Sequence, residues 1–139
     1  MTPYVLDSYA LLVYFQDEPG ADEVESLFRK ASQGEAVLFL SAVNYGEVAY
    51  SVKRKAGGRA MRSSLALLDL LPIEVVSISR DLALTAALYK AKYPIAYADC
   101  FCLALAKQQG AAVVTGDPEF HKVESEITFK WLPEKQKNS

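Results

Sequence analysis

The sequence predicts an α/β fold, a three-layer sandwich with a central parallel sheet of four to five strands and helices on both faces. Two observations carry that expectation. Short apolar runs of strand length alternate with longer stretches of helical period along the whole chain. The strand runs are almost uniformly apolar rather than alternating, as expected where a parallel sheet is covered on both faces. The length of 139 residues, with 51% hydrophobic and 23% charged residues, suits one domain with a real core. We place that domain over residues 1–133, with a polar, frayed tail over 134–139.

The elements follow in order. Tyr4-Val5-Leu6 is a short strand, and Ser8 is positioned to cap a first helix running to about Phe15. Pro19-Gly20 breaks the chain. Residues 21–33 place Val24, Leu27, Phe28 and Ala31 at i, i+3, i+4 and i+7, one apolar helical face. Residues 36–40 are a continuous apolar strand, after which Ser41 caps a helix over 42–56 that Gly57-Gly58 stops. A helix over 59–71 ends at Pro72, and the β-branched run 73–78 is a third strand. Ser79 opens a helix over 80–92, interrupted by Pro94. A helix over 97–109, closed by Gly110, leads to a fourth strand over 111–115. Phe129-Lys130-Trp131-Leu132 has the composition of an added edge strand.

Composition excludes several chemistries. Cys100 and Cys102 are the only cysteines, too few for a disulfide framework, and they point apart at i and i+2 on a helix, so core packing is expected of both. His121 is the only histidine, which removes mechanisms that need two imidazoles, zinc motifs of the His-x-x-x-His kind included. No apolar run of about 18 residues is present, and the first residues lack the basic start and long apolar stretch of a signal peptide. A cytoplasmic chain with no membrane role is expected. The net charge of −2 argues against holding nucleic acid by bulk electrostatics. If four acids belong to a metal site, thirteen remain against fifteen Lys and Arg, a balance of +2, and the argument lapses.

Four acids stand out. In a parallel sheet, ligands bind beyond the carboxyl ends of the strands. Asp7 follows the first strand and Asp117 the fourth, so both belong to one edge of the sheet. Each alone is also readable as a turn or cap residue, Asp117 especially, before Pro118. Glu47 shares a helical face with Val43, Tyr50 and Val48 in a stretch that reads as packed, and Asp99 is surrounded at helical spacing by Ile95, Ala96, Cys102, Leu103 and Ala106. A carboxylate on an apolar face must be paired or bound to a cation. A basic partner for Glu47, and capping for Asp99, are the plainer readings. Taken together, the four would make one acidic pocket with no histidine to serve it. Crowded carboxylates need a hard cation, Mg²⁺ or Mn²⁺, and such a site suits phosphoryl displacement.

The ordered segments Val5-Leu6-Asp7-Ser8-Tyr9-Ala10, Asn44-Tyr45-Gly46-Glu47-Val48, Ala98-Asp99 with Cys102-Leu103-Ala104, and Thr115-Gly116-Asp117-Pro118-Glu119 resemble a PIN-domain ribonuclease. Within that family the resemblance is to the VapC toxins of type II toxin–antitoxin modules, and it spans nearly the whole chain. It implies a Mg²⁺- or Mn²⁺-dependent endoribonuclease that cuts RNA by a metal-activated water. By the same resemblance Asp7 and Asp99 are principal metal ligands, completed by Glu47 and Asp117, with Ser8 and Thr115 as supporting polar residues. A homodimer and a small VapB-like antitoxin are the implied partners. Asn44 departs mildly from the family pattern, and no role is read into it.

Lys53, Arg54, Lys55, Arg59 and Arg62 form an acid-free basic cluster across Gly57-Gly58. It is readable either as a solvated helix end or as a contact for the RNA backbone. Tyr9, Tyr14, Tyr45, Tyr93 and Tyr97 are able to stack on bases, with packing the expected role of most. Leu12, Phe15, Leu27 and Phe28 are expected to offer a groove to an amphipathic antitoxin segment, with some of them also serving the core. Three rival readings remain on the same scaffold. A phosphoacceptor receiver domain needs adjacent acids after strand one, where Ser8 and Tyr9 follow Asp7, and a haloacid-dehalogenase-type phosphatase needs Asp-x-Asp, where Tyr9 takes the second place. A non-catalytic or housekeeping RNA-binding module would keep the pocket for shape alone. Activity on RNA separates the three.

Overall fold

The computed structural model describes residues 1–134, so most of the expected tail lies outside the described residues. Among these residues five strands form one sheet in the order β3-β2-β1-β4-β5, comprising β1 (Thr2–Leu6), β2 (Ala36–Ser41), β3 (Ile73–Val76), β4 (Ala112–Thr115) and β5 (Phe129–Trp131). All four pairings are parallel, with Tyr4 opposite both Leu38 and Ala112 and Thr115 opposite Trp131. Among the described residues six α-helices connect them: α1 (Ser8–Phe15), α2 (Ala21–Ser32), α3 (Ala42–Ala56), α4 (Gly58–Leu70), α5 (Arg80–Lys92) and α6 (Tyr97–Gln109). The sandwich expected from the sequence is present, and β5 adds the parallel edge strand.

Side chains leave each strand alternately, so the central strands feed two cores. Val5, Phe39 and Val113 pack with α5 and α6, around Leu82, Ala86, Phe101 and Leu105. Leu6, Leu38, Leu40 and Val114 pack on the other face with Leu11, Val24, Leu27, Val48 and Leu68 from α1 to α4. Cys100 and Cys102 are free and buried, as small core residues. Leu27 and Phe28 are core too, so of the four residues expected in a groove only Leu12 and Phe15 stay partly open.

Local corrections have local causes. Asp7, not Ser8, caps α1: its Oδ1 accepts from Ala10 N–H at 2.9 Å, because the extended backbone at Asp7 aims a carboxylate at the open turn. Ser41 and Ser79 cap α3 and α5 as expected, accepting from Asn44 and Leu82 N–H. The third strand is shorter than the run 73–78, ending at Val76 where β2 stops offering partners.

Candidate functional site

β1 and β4 are neighbours, yet the chain reaches β2 from one side of β1 and β4 from the other. That reversal opens a crevice at the carboxyl ends of these strands. Asp7 ends β1 and Asp117 follows β4, so the sheet brings both to this crevice. Ser41, the last residue of β2, starts α3 and swings Glu47 in from one side, and the first turn of α6 carries Asp99 in from the other.

Asp7 is 2% exposed. Its second oxygen accepts a hydrogen bond from the Thr115 hydroxyl, which in turn accepts from Asp117 N–H at 3.0 Å. Thr115 therefore ties the two acids of the sheet edge together. Asp117 also caps the 3-10 turn Pro118–Val123, with Oδ1 accepting from Glu119 N–H at 2.9 Å, so the turn reading of this residue holds while the sheet edge places it beside Asp7. Glu47 Oε1 accepts from Ser8 Oγ at 3.0 Å and from Asn44 Nδ2 at 2.9 Å. Asp99 is half-buried and does not cap α6, whose N-cap Ala96 has no side-chain bond. Capping alone does not explain it.

The electrostatics are those of crowded acids. Burial pushes the Asp7 carboxyl up to about 8, against the lowering bonds of Thr115 and Ala10, and the charges of Asp99 and Asp117 add smaller upward contributions. Burial, then the charges of Asp117, Glu47 and Glu119, push Asp99 up to about 7. The Cys102 thiol is held well above its ordinary range by burial and by Asp7, Asp99 and Glu47, so it stays protonated. No Lys, Arg or His forms an ion pair with Asp7, Glu47, Asp99 or Asp117 among the described residues. The basic partner considered for Glu47 is thus not found there; hydroxyl and amide donors serve it instead.

The donor set is all carboxylate oxygen, the chemistry that Mg²⁺ or Mn²⁺ requires. Among the described residues, however, no three acids stand close enough to hold an ion as built. The four share one field without forming a closed cage. Like charges held apart in this way draw together only when a cation offsets their repulsion.

Sequence reasoning missed three residues. Asn44 is fully buried; its backbone N–H donates to Ser41 Oγ at 3.0 Å, its Oδ1 accepts from the same hydroxyl at 2.6 Å, and its Nδ2 donates to Glu47 and, at 3.2 Å, to the Ala98 carbonyl of α6. It fixes Glu47 and joins α3 to α6. Its spacing of three from both Ser41 and Glu47 was the available signal. Glu119 adds to the field at Asp99. Tyr9 lies against Gly116, where a Cβ would sit 2.5 Å from the ring, so only glycine lets β4 turn into the Asp117 segment. The basic cluster falls at the C-terminal turn of α3 and the start of α4, with Lys55 Nζ on Gln16 Oε1 at 3.0 Å.

Fold and site together define a PIN domain. The PIN-domain family model matches residues 4–126, and the chain belongs to that family. No curated protein matches it in sequence. Solved structures match its fold. VapBC2 of Rickettsia felis, bound to a promoter DNA fragment, aligns with TM-score 0.74 at 17% identity, over 94% of this chain and 99% of that one. VapC20 of Mycobacterium tuberculosis, described as a toxin cleaving the Sarcin-Ricin loop, aligns with TM-score 0.70 at 15% identity, over 90% and 96%. VapBC-1 of nontypeable Haemophilus influenzae aligns with TM-score 0.67 at 18% identity, over 94% and 98%. At these identities the likeness is one of fold. No helix among the described residues is long and apolar enough to cross a membrane.

Proposed function

We propose that this chain is a Mg²⁺- or Mn²⁺-dependent endoribonuclease and the VapC-type toxin of a toxin–antitoxin pair. One observation carries the reading: Asp7, Glu47, Asp99 and Asp117 share a crevice with no ion-paired base among the described residues, and two of them are pushed to about 8 and about 7. Asp7 and Asp99 are the principal ligands and Glu47 and Asp117 complete the set. The bound cation supplies charge neutralisation and Lewis acidity for phosphodiester hydrolysis. Thr115 and Ala10 fix the direction of Asp7, while Ser8 and Asn44 fix that of Glu47, so neither has to be ordered when substrate arrives. Lys53, Arg54, Lys55, Arg59 and Arg62 serve the RNA backbone.

The assay is cleavage of RNA by the purified chain. Cleavage should stop in EDTA, return with Mg²⁺ or Mn²⁺, and be absent in Asp99→Asn. Undiminished cleavage in chelator overturns the mechanism, and no cleavage in any condition favours a non-catalytic RNA-binding scaffold.

The partners follow from the same reading. A small VapB-like antitoxin encoded beside the chain restrains it in the cytoplasm, with an Arg entering the acidic crevice, since a guanidinium meets carboxylates bidentately and stays charged. The chain pairs with a second copy, which would cover apolar side chains such as Leu84 and Leu88, exposed to 60% and 63% at i and i+4 on α5.

A further inference from the structure

Glu47, Tyr50, Ser51 and Arg54 stand at i, i+3, i+4 and i+7 on α3, so one strip of that helix leads from the acidic crevice towards its C-terminal turn. Val48 and Val52, on the opposite side, hold the helix in the core. Tyr50 is 49% exposed. The Arg54 guanidinium lies over its ring, 5.1 Å from the centroid. Lys53, Arg54, Lys55, Arg59 and Arg62 stand together in a stretch, 48–68, that contains no acid, and none of them forms an ion pair among the described residues. In a chain of net charge −2, five cations clustered where no acid stands make a local positive patch suited to an anion from outside.

We infer that this strip seats a single strand of RNA leading away from the cut, with Tyr50 stacking on a base and Arg54 taking a neighbouring phosphate. The inference rests on the ribonuclease reading and deepens it. An aromatic plate flanked by cations is sequence-tolerant and needs an unpaired base, because bases inside a duplex do not offer their faces. The seven residue-to-residue steps from Glu47 to Arg54 rise about 10 Å. At the ~3.4 Å axial spacing of phosphates in a stacked strand, that is about three nucleotides. Substrates that extend only one nucleotide past the cut on that side should fail to reach Arg54.

The test is fluorescence anisotropy with a labelled eight-nucleotide oligouridylate in EDTA, where binding is read without cleavage. Tyr50→Ala should weaken binding about tenfold while Tyr50→Phe keeps it. Arg54→Ala should lower the slope of log K against log salt by about one. Arg80→Ala, on α5, should change nothing. Tyr50→Ala binding as tightly as wild type, losses no larger than those of Arg80→Ala, equal losses on a DNA duplex, or no measurable binding by wild type would each overturn the strip. Tyr50-dependent binding without metal-dependent cleavage would keep the strip and remove the nuclease reading. Metal-dependent cleavage with binding indifferent to Tyr50 would do the reverse.

Discussion

Replacing Asp7 by Asn should stabilise the metal-free protein at neutral and alkaline pH. Asp7 is 2% exposed and its carboxyl lies at about 8 against an ordinary 3.8. The sign follows from linkage: a carboxyl raised in the folded state favours folding below its unfolded value, and that advantage is lost as pH climbs through the folded value. Between pH 4 and pH 7 the wild type therefore loses about three pH units' worth of free energy at this site, ~4 kcal/mol. Asn does not titrate, and its oxygen still accepts from Ala10 N–H. For a chain of this size, with ~3 °C of melting temperature per kcal/mol, the variant should melt roughly 10 °C above wild type at pH 7 and level with it near pH 4. The assay is thermal unfolding followed by circular dichroism in EDTA at pH 4, 5.5, 7 and 8. Millimolar Mg²⁺ should raise the wild type at pH 8 and leave Asp7→Asn unmoved. A variant that melts below wild type at pH 8 in EDTA would refute the reasoning, because it would show that the charge itself holds the fold.

Further expectations concern the frame around the acids. Asn44→Ala strips Glu47 and Ser41 of their amide partner, so it should cost about 2 kcal/mol in urea titrations and slow cleavage; an unchanged midpoint would remove Asn44 from the frame. Gly116→Ala sets a methyl 2.5 Å from the Tyr9 ring and should cost about 1–3 kcal/mol. Most of that should return in a Tyr9→Leu background, and strictly additive losses would argue against the contact. Light scattering at micromolar concentration should return about twice 15.3 kDa, falling towards the monomer in Leu84→Glu/Leu88→Glu. A wild-type mass near 15.3 kDa would refute the dimer.

The sequence determined by itself whatever depends on local period and chain order. Uniform apolar runs separated by helices specify a covered parallel sheet, and parallel strands share a direction. Asp7 and Asp117 had therefore to lie at one edge. Asp99, ringed by apolar neighbours at helical spacing, was legible for the same reason: a charge among such residues needs an external cause. The third dimension decided what no spacing encodes. Tyr50 reads as a packed residue because it shares a face with Val43, yet α3 turns Val48 and Val52 to the core and leaves Tyr50 beside Arg54 in solvent. Asn44 looks incidental in one dimension and is buried in the structure between Ser41, Glu47 and the Ala98 carbonyl, because α6 arrives from a distant part of the chain. Asp7 took the cap from Ser8, freeing that hydroxyl to reach Glu47 thirty-nine residues away. Periodicity ranks which residues are able to face inward, but burial and hydrogen-bond partners belong to pairs of elements, and those pairings exist only once the chain has closed on itself.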